Sequence, residues 1–336
     1  MGESASERVA SPLADGERPR EARVMGLPST TLSVEPPSPQ PSPRRREGAG
    51  RTRRQAFVAA AHVLRAAGIE TPELDARLLL CHAAGLTPEA YVASPDAPLN
   101  EDGGSRFDAM IARRLKGEPV SRMVGAKEFY GRCFAVDIHT LDPRPDTETL
   151  IDAVLDALGR EGRRDEKLRI LDLGTGTGCI LLTLLAELSL AQGVGSDVSA
   201  GALDVARRNA RDTGVGDRAS FVAGDWFEPI EGRFDIVVSN PPYIASAEIA
   251  GLSREVSYDP LLALDGGEDG LEAYRRIASG VARVLCPGGL VFLEIGETQG
   301  EVVLGLLRDA GLEIEVGRAI WADLAGRQRC VGVRFG

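Results

Sequence analysis

Histidine is nearly missing from this 336-residue chain: there are three, His62, His82 and His139, far apart in sequence. None has a neighbour at ligand or catalytic spacing, so each is read as a packed or surface side chain. Cysteine is sparse as well. Cys81, Cys133, Cys179, Cys286 and Cys330 are odd in number and form no C-x-x-C pair, which argues against a disulfide framework or a metal site and for buried reduced thiols. No apolar run approaches the roughly 20 residues of a membrane span. No basic-then-apolar leader opens the sequence either, so a cytoplasmic location and no membrane partner are expected. Positive charge is also short: 39 Lys and Arg against 50 Asp and Glu leave a net charge of −11. Because residues 1–50 hold seven arginines and seven acids, the whole deficit falls on the rest. A body this acidic is a poor fit to phosphate backbones, so a protein substrate is expected and direct nucleic-acid binding is not.

What is present divides the chain into four stretches. Residues 1–50 carry eight of the 20 prolines, including Pro36, Pro37, Pro39, Pro41 and Pro43 ahead of Arg44-Arg45-Arg46. Such a segment cannot build a core and is expected to be a disordered tail. It also resembles a translated intergenic repeat, so the working chain is expected to begin near Thr52. Residues 51–119 read as a small helical bundle. Thr71-Pro72-Glu73 and Thr87-Pro88-Glu89 are start signals, Phe107, Met110, Ile111 and Leu115 define a longer helix, and Gly117 and Pro119 close it. Arg113, Arg114 and Lys116 read as a solvated face near its C-terminus. Residues 120–145 lose the helical period and read as a β-hairpin linker, with Met123 and Val124 on one arm, Cys133, Phe134, Val136 and Ile138 on the other, and a turn at Tyr130-Gly131.

From residue 146 to 336, after a helix capped near Asp146 or Thr147, strands alternate with helices. This is the α/β pattern of a doubly wound, mostly parallel sheet. Strands are expected near 168–173, 192–197, 219–223, 233–239, 289–295, 312–318 and 328–335, with helices near 177–189, 199–213, 268–285 and 298–310. The first strand runs into Gly174, Gly176 and Gly178, a turn whose backbone N–H groups can approach a ligand closely. A dinucleotide fingerprint would need glycine at position 179, where Cys179 stands, so nicotinamide or flavin binding is disfavoured. The fourth strand runs into Asn240-Pro241-Pro242-Tyr243. Two prolines remove two donors and stiffen the segment, leaving the Asn240 side-chain oxygen, the Pro241 carbonyl and the Tyr243 ring as a rim suited to a planar NH2 group.

Asp172 followed by G-x-G-x-G resembles the first motif of S-adenosylmethionine-dependent methyltransferases. Together with Asn240 to Tyr243, Gly117-Glu118-Pro119-Val120, Phe129-Tyr130, Pro143-Arg144-Pro145-Asp146-Thr147-Glu148, Asp225-Trp226, Glu294-Ile295-Gly296 and Gln299-Gly300, it makes residues 52–335 resemble the PrmC/HemK family of protein-glutamine N5-methyltransferases. The resemblance implies a seven-stranded methyltransferase (Rossmann-like) domain whose last strand pair is antiparallel, preceded by a helical substrate-recognition domain. It implies S-adenosylmethionine as cofactor, with Asp172, Gly174, Thr175, Gly176, Thr177 and Gly178 around its methionine part and ribose. Asp197, nineteen residues after Gly178, would hold the ribose hydroxyls; the residue-level alternative is a helix cap before Ser199. Asp225 and Trp226 would meet the adenine, while Phe221 and Phe227 read as core.

The implied substrate is the glutamine of the Gly-Gly-Gln loop in peptide-chain release factors, held by Asn240, Pro241, Pro242 and Tyr243, with Asn240 also touching the cofactor. No residue is assigned as a base, and a monomer is expected. Two features depart from the family pattern: the tail, and Gln328 where many members carry an acid. Competing readings are a ribosomal-protein glutamine methyltransferase, an adenine-N6 DNA methyltransferase, and a non-enzymatic S-adenosylmethionine sensor.

Overall fold

In the computed structural model, which describes residues 51–314 and 319–336, the helical period after Arg51 becomes five helices. They are α1 (Arg53–Ala66), α2 (Pro72–Ala84), α3 (Pro88–Ala93), α4 (Glu101–Arg114) and α5 (Val120–Val124). The tail expected to be disordered over 1–50 lies outside the described residues. Three starts are capped by side chains. Thr52 and Gln55 form a reciprocal capping box, Thr87 accepts from Ala90 N, and Asn100 accepts from Gly103 N, each satisfying N–H groups that a first helical turn leaves unpaired. Thr71 differs. Its hydroxyl bonds Asp75 Oδ1 at 2.9 Å, and the start rests on Pro72, which has no N–H to satisfy. The start at Thr87 leads only to the six-residue α3, because Pro95 and Pro98 interrupt the chain before Asn100 begins the longer helix.

Two readings of this region are corrected. Residues 120–124 are helical rather than the first arm of a hairpin: Pro119 precedes α5 and Gly125, at φ +75°, ends it. The hairpin is therefore shorter, β1 (Ala126–Phe129) with β2 (Arg132–Ala135). Its turn, Tyr130-Gly131, has φ of +51° and +71°, as a two-residue turn matching the strand twist requires. Arg114 does not lie on a solvated face. It is 4% exposed, with Asp75 Oδ2 at 2.7 Å and Glu255 Oε1 at 2.5 Å, because the loop after the fourth sheet strand packs over the end of α4.

The rest of the chain runs α6 (Glu148–Glu161), β3 (Arg169–Leu173), α7 (Cys179–Glu187), β4 (Gln192–Asp197), α8 (Ala200–Asp212), β5 (Ala219–Ala223) and β6 (Phe234–Ser239). It continues through α9 (Glu272–Val281), β7 (Leu285–Glu294), α10 (Gly300–Asp309), β8 (Leu312–Ile314), β9 (Ile320–Ala322) and β10 (Gln328–Phe335). The sheet order is β5-β4-β3-β6-β7-β10-β8. The first five of these strands pair parallel, and β10 lies antiparallel to both β7 and β8. All seven expected strands are present; the extra one, β9, is three residues long and pairs only with β10. The last part of the strand expected at 312–318 lies outside the described residues.

The described residues belong to one compact unit and hold three apolar clusters. One lies inside the N-terminal helices around Leu64, Leu79, Leu80 and Phe107. The other two cover opposite faces of the sheet: α6, α7 and the hairpin's Phe129 and Phe134 on one, α9 and α10 on the other. Cys81, Cys179 and Cys330 are buried as expected, but Cys133 is exposed and Cys286 half-buried; Cys133 alternates outward on β2 while Phe134 points in. Among the described residues no helix is long and apolar enough to cross a membrane. Strand order reverses between β3 and β6, and at such a switch point the carboxyl ends of neighbouring strands open into a crevice.

Candidate active site

The crevice is shaped by the turn after β3. Gly174, Gly176 and Gly178 have φ of +69°, +54° and +78°, a region in which side-chain-bearing residues are strained. Thr175 N bonds Ser196 O at 2.9 Å, and Gly176 N donates to Asp197 Oδ2 at 2.9 Å. The other oxygen, Asp197 Oδ1, accepts from Ser199 N at 2.8 Å. The carboxylate thus clamps the glycine turn to the end of β4. Helix α8 is capped by Ser199, whose hydroxyl accepts from Ala202 N at 3.2 Å, so the capping role does not fall to Asp197. Burial raises the Asp197 pKa, against the lowering effect of the N–H groups it accepts from. Beneath the turn, Thr175 Oγ1 donates to Asp172 Oδ2 at 2.7 Å. Asp172 is fully buried, which pushes its pKa up to about 7, and its Oδ1 has no partner among the described residues.

Above the turn lies a cavity of about 640 Å³. Of the expected site residues it is lined by Gly174, Thr175, Gly176, Thr177, Asp197, Asp225, Trp226, Asn240, Pro241 and Pro242. Asp172, Gly178 and Tyr243 do not line it. Asp172 lies below the turn, Gly178 begins α7, and the Tyr243 ring packs into the apolar cluster of α9 and α10. Trp226 has a φ of +51°, and the Arg276 guanidinium sits 5.9 Å from its ring centroid while ion-pairing with Asp225. Arg276 carried no signal in the sequence. The linker from Ile138 to Arg144, whose Pro143-Arg144 was noted only as part of the family resemblance, forms one wall. There His139 fits against Gly201, where an added Cβ would stand 2.5 Å from the ring.

At the cavity's edge, the end of β6 presents Asn240. Its Nδ2 donates to Thr147 Oγ1 at 3.3 Å. Neither Asn240 Oδ1 nor the Pro241 carbonyl has a hydrogen-bond partner among the described residues. Tyr243 anchors the segment from behind. Its hydroxyl donates to Glu294 Oε1 at 3.4 Å and its carbonyl accepts from Gln299 Nε2 at 3.0 Å. Burial, with Glu294 nearby, raises the Tyr243 pKa well above the phenol range. Glu294 itself is buried, which drives its carboxyl up to about 7 despite the opposing Thr147 hydroxyl and Arg329.

The Pro143 to Glu148 run, to which sequence reasoning gave no chemistry, proves to be a junction. Arg144 pairs with Asp259 in the loop after β6, and Asp146 with Arg329 of β10 at 3.0 Å. Thr147 meets Asn240, and Glu148 Oε1 accepts from Tyr130 N of the hairpin turn at 2.8 Å. Four elements are thereby referred to one short segment. Along the strand ends, in the order β5-β4-β3-β6, the site offers an indole, a carboxylate, the glycine turn and, at the far end, two unused carbonyl-type acceptors. It suits holding and aligning an NH2 group rather than attacking with a nucleophile of its own.

Comparison with known proteins adds independent findings. The family description "PrmC N-terminal domain" matches residues 55–125, and "Methyltransferase small domain" matches residues 148–254. A release factor glutamine methyltransferase of Rhodospirillum rubrum is 47% identical over 272 residues, covering 81% of this chain and 81% of its own. That of Agrobacterium fabrum is 46% identical over 259 residues, 77% of this chain and 90% of its own. That of Cereibacter sphaeroides is 45% identical over 281 residues, 83% of this chain and 97% of its own.

Proposed function

The chain belongs to the release factor glutamine methyltransferase family, and we propose that it methylates the side-chain nitrogen (N5) of the Gly-Gly-Gln glutamine in peptide-chain release factors. The observation that carries this reading is Asn240 at the cavity edge, its Nδ2 tied back to Thr147 and its Oδ1 left unpaired beside the Pro241 carbonyl. S-adenosylmethionine supplies the methyl group on a sulfonium sulfur: the N–CH3 bond forms as the S–CH3 bond breaks, and the nitrogen then loses a proton to water.

The residues present fit that cofactor. Gly174 has nothing within 4 Å of an added Cβ, so its side of the turn is open to a ligand. The Asp197 carboxylate retains acceptor capacity beyond its two N–H bonds, suiting the ribose hydroxyls. Trp226 offers a face for a purine, and Thr175 to Thr177 would border the methionine part. Asp172 and Gly178 serve by shaping the turn.

An amide nitrogen is a weak nucleophile because its lone pair is delocalised, so most of the catalysis must come from alignment. Asn240 Oδ1 and the Pro241 carbonyl would each accept one N–H of the substrate carboxamide, fixing its plane and favouring the positive charge that develops on nitrogen. Pro242 keeps the rim rigid, and Tyr243 holds it from behind through Glu294 and Gln299. No side chain is needed as a base. We place the enzyme in the cytoplasm, acting as a monomer on a protein partner without gripping nucleic acid. Incubating it with labelled S-adenosylmethionine and, separately, a release factor, ribosomal proteins and DNA tests the reading. Label is expected on the release-factor glutamine; label on DNA, or on ribosomal protein alone, would overturn it.

A further inference from the structure

A carboxamide is nearly symmetrical in shape but not in chemistry. Turned one way Asn240 offers its oxygen, turned the other its NH2, and only the oxygen can accept from a substrate NH2. Resting on the proposed function, we propose that Thr147 is a positioning residue that sets this orientation, acting on the substrate through Asn240. Thr147 occupies the position before α6 that a threonine ordinarily uses to cap the helix, yet its side chain makes no capping bond. Its backbone there is helical, with φ −65° and ψ −21°, and its hydroxyl receives the Asn240 Nδ2–H instead. Thr147 is 2% exposed although it lines the cavity with Asn240, so little of its hydroxyl is left open to water. The neighbouring Glu294, also 2% exposed, has an oxygen with no partner among the described residues and can accept a hydrogen bond from the threonine O–H. That leaves Oγ1 to Asn240 as an acceptor. An oxygen turned inward would meet the Thr147 lone pairs, so the amide settles with its oxygen outward.

The test is Thr147→Val, which keeps the shape and removes the acceptor, assayed in the full-length protein by single-turnover methyl transfer to a release factor. The rate should fall roughly tenfold, the scale of one lost orienting hydrogen bond, with release-factor affinity changed less than about twofold. Thr147→Ser should recover most of the rate. In an Asn240→Ala background, Thr147→Val should cost nothing further, since the two act as one unit. A readout independent of turnover is the Asn240 side-chain 15N–1H signal, assigned by its loss in Asn240→Ala. Its amide protons should exchange with solvent faster in Thr147→Val than in wild type. A wild-type rate in Thr147→Val, an equal loss in both backgrounds, or unchanged exchange would each overturn the inference. Wild-type protein that leaves the release factor unlabelled overturns the proposed function and this inference together, whereas an active wild type with an unaffected Thr147→Val overturns this inference alone.

Discussion

Replacing Asp197 by alanine separates a residue that touches the cofactor from one that only shapes the loop around it. In the structure both carboxylate oxygens are already oriented, Oδ2 by Gly176 N at 2.9 Å and Oδ1 by Ser199 N at 2.8 Å. A carboxylate can accept about four hydrogen bonds, so about two sites remain for the ribose hydroxyls. Bonds of that charge-assisted kind contribute about 1.5–3 kcal/mol each. Loss of two, at the low end of that range, is about 3 kcal/mol and raises the dissociation constant by roughly a hundredfold. Asp197→Asn keeps one acceptor and should fall between wild type and alanine.

Calorimetric titration with S-adenosylmethionine measures the effect, and titration with adenosine locates it. Adenosine carries the ribose but not the methionine part that would lie along the glycine turn. If Asp197 holds the ribose, both ligands weaken by similar factors; a loss confined to S-adenosylmethionine would mean that Asp197 acts only by clamping Gly176. A dissociation constant within about twofold of wild type for both ligands would refute the ribose assignment.

Asn240→Ala should lower single-turnover methyl transfer on the order of a hundredfold while release-factor affinity falls less; thermal stability should change little because Pro241 and Pro242 keep the loop's shape, and a wild-type rate at saturation would refute the alignment mechanism. Glu294 has a folded-state pKa of about 7, above its ordinary 4.5, so the folded protein keeps a proton that the unfolded chain releases between those values. The stability tied to neutral Glu294 is therefore full below about pH 4.5 and lost as pH rises through about 7. Glu294→Gln, uncharged throughout, should raise Tm above wild type at pH 8, by up to about 3 kcal/mol in stability terms, and the gain should shrink as pH falls and vanish below about pH 4; an equal difference at pH 8 and pH 4 would remove the titration argument. Asp75→Ala leaves the buried Arg114 without one of its two carboxylate partners and should destabilise the protein by about 3 kcal/mol; a denaturation midpoint unchanged from wild type would show that Glu255 alone suffices.

Much of this molecule is legible without coordinates, for a local reason. The seven principal strands, the glycine turn and the hairpin turn at Tyr130-Gly131 are written in signals between residues a few positions apart: apolar periodicity, residues that tolerate positive φ, and prolines that cannot continue an element. The same signals misled where two local readings competed. Val120 to Val124 fit a strand by composition, yet between Pro119 and Gly125 they form a helix. Placement of Gly174 to Thr177 and of Asn240 to Pro242 around one crevice also follows from short range, since strand ends of a parallel sheet share an edge.

What only the tertiary structure decided is which side chains meet across elements. Thr147 and Asn240 are 93 residues apart, and Arg114 and Glu255 are 141 apart. Tyr243 turns from the cavity into the apolar cluster of α9 and α10, and Arg276 lies over Trp226, because of where helix α9 packs on the sheet. Such contacts have no sequence period. They depend on the summed burial of whole helix and strand faces, and a single polar residue in the Pro143 to Glu148 run does not reveal, from its neighbours alone, which distant element will be pressed against it.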